Sequence, residues 1–259
     1  MNNIKKVLTM LILINTFTFA ELSKEQLLEY SNKTWGIKIF KRIEEERYNN
    51  LFIELDIDKN ITNLKKIEEM QKFAYCKYAS NAFFKEIRKI TNEEYSNIIS
   101  FYQSDIGKKL NQEYLIYTNS EIGTAYQKER KFSKKKYLLI ESISKELNIV
   151  ELKVQYEVRR IIIQKIYETQ QGYSDKYLKE FANKRRASIK QHERQQKIII
   201  FQNFTIPELE RVLEYAKTKS GKREMEVLFQ GMAKAYSNQV LMCSNFLYNF
   251  IKMPNFTPQ

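Results

Sequence analysis

Apolar residues recur at intervals of three and four along most of the chain, the spacing that lines one face of a helix. Phe73, Cys76, Ala79, Phe83 and Ile87 follow it, which predicts one long helix from about 62 to 90 with Cys76 turned into a core. After Gly221 the spacing carries Met225, Phe229, Met232, Tyr236, Val240, Cys243, Leu247 and Phe250, so a final helix is expected to reach about Lys252 and stop before Pro254. Ser23 with Gln26 forms a capping-box pair ahead of Leu27, Leu28 and Tyr30, placing a first helix from about Ser23 to Gly36. A second amphipathic helix is expected from Ile37 to about Phe52, with a turn at 56–60. Further helices are read near 137–147, 149–170 and 175–201, the last capped by Ser174 after a break at Gly172.

One stretch occurs twice. Residues 90–114 align without a gap onto residues 204–228, at an offset of 114. Thr91 matches Thr205, Glu94 matches Glu208, Gly107 matches Gly221 and Lys108 matches Lys222, while Phe101/Tyr215 and Ser104/Thr218 keep their physical character. In each copy the threonine caps a helix and the glutamate three residues on reaches back to it. Ser104 reads as a second cap, and the glycine stands where helices approach closely or begin anew. Two tandem helical units are therefore expected, 21–131 and 132–259, each of several antiparallel amphipathic helices, packed against one another. The segment 128–136, KERKFSKKK, holds six basic residues and one acid and reads as a solvated connection between them. Composition agrees with an all-α class, since six glycines and three prolines leave few turn formers for hairpins.

The first twenty residues add a location. Lys5 and Lys6 precede an uncharged run from Val7 to Ala20, with Thr18-Phe19-Ala20 before Glu21, the pattern of a secretory signal peptide over 1–20. Asn15, Thr16 and Thr18 interrupt the apolar run, which is too short for the roughly 20 residues of a membrane span. The expected destination is the periplasm. The formal charge of +13 falls to +11 once the two leader lysines are removed. In that compartment the anionic partners to consider are lipopolysaccharide, phospholipid head groups, cell-wall polymers and acidic proteins rather than nucleic acid; a charged surface serving solubility is the plainer account.

The helix at 175–201 concentrates the basic residues. Lys184, Arg185, Arg186, Lys190, His192 and Arg194 are the candidate anion-binding set. A helical wheel puts Arg185, His192 and Gln196 on the apolar face with Leu178, Phe181 and Ile189. The favoured reading is that their stems cover apolar surface at a core edge; the sharper alternative is a cleft lined by Arg185 and His192.

Catalytic patterns are scarce. His192 is the single histidine, and the chain has no HExxH, CxxC, GxSxG or glycine-rich phosphate loop, so no catalytic residue, metal or cofactor is expected. Cys76 and Cys243 are the two cysteines. They either pair across the two units or remain two buried thiols; export favours pairing, and burial on separate stripes does not require it.

Both motif copies, T-x-x-E-h-x-x-h-h-x-a-a-x-S-x-x-G-K with h apolar and a mostly aromatic, resemble a bacterial exported helical family catalogued as domain of unknown function 2059. Where that family commonly has proline after the serine, Asp105 and Lys219 stand here; the second copy also has Ala216 for an aromatic and Thr218 for serine. The resemblance implies a helical fold and an envelope location, and carries no activity. The expected function is a non-enzymatic scaffold, adaptor or chaperone-like protein contacting an envelope protein. A binder of anionic polymers or lipid head groups is the alternative, and an unrecognised enzyme the third.

Overall fold

The structure, a computed structural model, describes residues 21–38, 40–41, 44–45, 64–118, 132–169 and 172–244. The leader, most of the helix expected at 37–52, the turn at 56–60 and everything after 244 lie outside the described residues. Within them the fold is all-α. The helices are α1 (Lys24–Lys33), α2 (Leu64–Ala74), α3 (Lys77–Ile87), α4 (Asn92–Gln103), α5 (Asp105–Thr118), α6 (Lys134–Glu146), α7 (Ile149–Thr169), α8 (Asp175–Ile200), α9 (Ile206–Lys217) and α10 (Lys219–Asn238), followed by a π-helical turn at Gln239–Cys243. Among the described residues no helix is long and apolar enough to cross a membrane.

Two clusters of buried side chains hold these helices together. The first gathers α1, α3 and α4 around α10, with Tyr30, Phe83, Ile87, Ile98 and Leu228 at its centre. The second joins α5, α6 and α9 to the end of α8 through Leu110, Ile143, Phe201, Leu209 and Val212. Trp35, Phe101 and Leu147 pack against both. α10 begins within the second motif copy, yet its apolar face is covered by α3, which precedes the first copy. Gly231 permits that approach: a Cβ there would stand 2.9 Å from the Phe83 ring. A disulfide between Cys76 and Cys243, Cα atoms 6.2 Å apart, ties the start of α3 to the end of α10. The two expected units thus share one core, and of the two readings left open for the cysteines the bridge is the one present.

Four local expectations need correction. The single helix at 62–90 is broken at Tyr75–Cys76, where Cys76 takes an extended conformation at the head of α3 and meets Cys243. Gly36 does not end α1, which stops at Lys33 with Thr34 as its cap. It sits instead against Leu228, whose Cδ2 would be 2.5 Å from an added Cβ. α6 begins at Lys134, capped by Ser133, so the basic connection already contains a helix start. The final helix is not α-helical throughout: α10 passes at Gln239 into the π turn that carries Cys243, and its expected end near Lys252 lies outside the described residues.

Candidate functional site

At both motif copies the expected caps form. Thr91 Oγ1 accepts from the Glu94 amide at 3.2 Å while Glu94 Oε2 accepts from the Thr91 amide at 3.0 Å. Thr205 and Glu208 make the same box. Ser104 and Thr218 then start the next helices by accepting from the amides of Gly107 and Gly221 at 3.2 and 3.0 Å. The glycines are required by close approach: a Cβ on Gly107 would lie 2.0 Å from the Phe101 carbonyl oxygen, and one on Gly221 2.4 Å from that of Tyr215. Caps are not the whole account, because the two corners pack on each other. Phe101 and Tyr215, which occupy matched positions, stack at 3.8 Å with their planes 2° apart. Lys109 donates to both oxygens of Glu208 at 2.9 Å, and Lys219 pairs with Glu94 at 3.4 Å.

Beside this stack lies a buried acid. Glu224 on α10 is fully enclosed. Its carboxylate accepts from Tyr215 at 2.7 Å, Tyr30 at 3.2 Å and Tyr102 at 3.4 Å. Burial pushes its pKa up and the three phenols pull it back, leaving it at about 7. The same enclosure raises all three tyrosines well above their ordinary value.

One accessible feature is a cavity of about 630 Å³ among α5, α7, α8 and α10, within the roughly 300–1,000 Å³ that accommodates a small organic molecule. Ile149, Ile189, Met225 and Leu228 form a buried apolar floor, with Phe229 and Met232 partly exposed beside them. One end is polar. There Lys153 pairs with Glu193 and also donates to Gln196 at 3.1 Å, and Lys197 donates to Tyr114. Lys197 is only 4% exposed; burial lowers its pKa, opposed by nearby Glu193. Arg185, Ser188 and His192 line the opposite part of the α8 wall, toward solvent.

The basic residues of α8 therefore separate into two sets. Arg185 and His192, with Gln196, line the cavity. Arg186 instead faces α7, donating Nε and Nη2 to Glu151 at 2.5 and 2.9 Å, and this pairing holds Glu151 below the usual carboxylate range. Arg194 reaches Glu141 on α6 at 3.8 Å, while Lys184 and Lys190 are exposed. The six do not form one patch. Among the described residues no group of three His, Cys, Asp or Glu side chains is placed to hold a metal ion.

Sequence reasoning passed over Glu224, Lys153, Glu193 and Lys197. A signal existed for the first: at the offset of 114, Glu224 stands where the other copy has Leu110, an acid in an apolar register. Lys153 and Glu193 carried none, because their pairing spans two helices and forty residues. No protein-family model, no curated protein and no solved structure matches the chain.

Proposed function

We propose that the chain is an exported, non-enzymatic binding protein of the cell envelope that holds a small amphipathic molecule in the cavity between α7, α8 and α10. One observation carries this reading: a cavity of about 630 Å³ with an apolar floor and charged groups confined to its polar end and its α8 wall. An apolar body is favoured on such a floor, while a few polar contacts orient it. The reading is non-enzymatic because the most perturbed acid, Glu224, is enclosed in the core where no substrate reaches it. Export rests on the leader pattern at 1–20, and the exported helical family remains the expected kinship on the motif residues.

The proposed site narrows the earlier expectation of a scaffold or adaptor: contacts with an envelope protein would deliver or collect the bound molecule. The alternative of a polyanion-binding helix is less favoured, since Arg186 and Arg194 already face carboxylates. The test is uptake of an environment-sensitive apolar dye by the parent and by Met232→Trp, which fills the cavity. One dye per chain in the parent and loss of uptake in the variant are expected. Equal uptake by both, or none by the parent, refutes the reading.

A further inference from the structure

Three side chains on the cavity wall lack partners in a way their neighbours do not. Arg185, Ser188 and His192 stand at i, i+3 and i+7 on α8, so they form one stripe on one face. Among the described residues none of the three side chains makes a hydrogen bond. Among the described residues Arg185 makes a loose ion pair with Glu157 at 3.8 Å, and its Nε is buried without an acceptor. Elsewhere on the same helix Arg186 and Lys197 each donate a hydrogen bond. The stripe is thus an unspent set of donors beside an apolar floor.

Charge points the same way. The cavity wall carries three basic side chains, Lys153, Arg185 and Lys197, against two carboxylates, Glu157 and Glu193. Lys153 and Glu193 satisfy each other, and Lys197 is held by Tyr114. Arg185 has a loose ion pair, Glu157 at 3.8 Å, and its planar fork of N–H donors matches the paired oxygens of a carboxylate or phosphate.

We propose that the cavity takes a single-chain anionic amphiphile, its carboxylate or phosphate head held by Arg185 with Ser188 and His192, and its tail laid over Ile189, Leu228 and Met232. This rests on the binding function proposed above and adds the sign of the head group. A dipole of donors at the mouth and an apolar floor below discriminate against a neutral or cationic head on the same tail, because only an anion completes the guanidinium. Glu157 works against the ligand: it competes for Arg185 and repels the incoming head.

The experiment is titration calorimetry on the full mature chain with four twelve-carbon probes below their micellar concentrations: dodecanoate, dodecyl phosphate, dodecanol and dodecyltrimethylammonium. At least one anion binds one per chain, about tenfold or more tighter than dodecanol, the range expected for a charge-assisted hydrogen bond. Arg185→Gln brings that anion to the level of dodecanol and leaves dodecanol unchanged, Arg185→Lys recovers part of the loss, and Glu157→Gln tightens the anion. Shortening the anion by one methylene weakens it about fourfold, as for apolar surface leaving water. Comparing the carboxylate with the phosphate tells a free fatty acid from a phospholipid fragment, and preference for either supports the proposal. Dodecanol or the cation binding as tightly as the anions overturns the head-group assignment while the cavity function stands. If no probe binds, both fall.

Discussion

Glu224 makes stability depend on pH in a window where ordinary carboxylates do not titrate. Its folded pKa of about 7 exceeds the usual 4.5 because desolvation outweighs the donors from Tyr215, Tyr30 and Tyr102. Between those two values the folded chain keeps a proton that the unfolded chain has released. Stability therefore falls as pH rises from about 4.5 and levels off above about 7. At about 1.4 kcal/mol per pH unit, the full span amounts to about 3 kcal/mol, a sizeable part of a typical 5–15 kcal/mol.

Glu224→Gln tests this directly. The amide keeps an acceptor for the phenols and removes the titration. Urea denaturation followed by helical circular dichroism at pH 5, 6, 7 and 8 should give a parent that loses about 2.5 kcal/mol more across the range than the variant. Other acids do not imitate the effect. Glu86 is pushed up by burial, but the hydrogen bonds from Lys234 and Lys89 outweigh that and hold it below its ordinary value. Its contribution is present above the usual carboxylate range and disappears as pH falls below it, outside the window and with opposite sign. Parallel pH profiles for parent and Gln variant would refute the argument, as would a variant with the steeper decline.

Three other outcomes follow from the packing. Reducing the Cys76–Cys243 bridge, which closes a loop of 167 residues, should lower stability by about 5 kcal/mol in the chain-entropy picture, measured by denaturation with and without reductant. Gly107→Ala and Gly221→Ala should each cost about 1–3 kcal/mol through overpacking against backbone, with Gly107 the worse because its clash is at 2.0 rather than 2.4 Å; melting temperatures decide the order. Residues 132–259 expressed alone should fail to fold into a stable helical product, since the face of α10 that α3 covers would be exposed. A cooperative thermal transition in that fragment would contradict the shared core.

What could be read from sequence was what neighbours in sequence decide. The boxes at Ser23, Thr91 and Thr205, the second cap at Ser104 and the extents of α7 and α8 depend on residues within one or two turns. The contacts with functional meaning cross the chain. Tyr30 and Tyr102 reach Glu224 over separations of 194 and 122 residues. A helical wheel placed Arg185 and His192 on an apolar face but could not choose between a core edge and a cleft. That depended on which helices lie opposite, and these are α7 and α10. The break between α2 and α3 was likewise invisible, because Cys76 continues the apolar stripe on either side of it.

The differences between the two motif copies locate where the molecule departs from a purely structural device. Phe101 and Leu110 stand nine residues apart in the first copy; Tyr215 and Glu224 stand nine apart in the second, joined by a 2.7 Å hydrogen bond. The second pair is the polar counterpart of the first, and Tyr215 adds the shortest of the three hydrogen bonds that the buried acid accepts. Ala216 matches Tyr102 at the offset of 114, and of the two positions only Tyr102 supplies a phenol to the acid. The acid's donors therefore come from α1, α4 and α9 together, and its position requires both corners to be docked. Leu228, one helical turn beyond Glu224, forms the cavity floor. Glu224 and the cavity floor therefore lie on the same helix, α10.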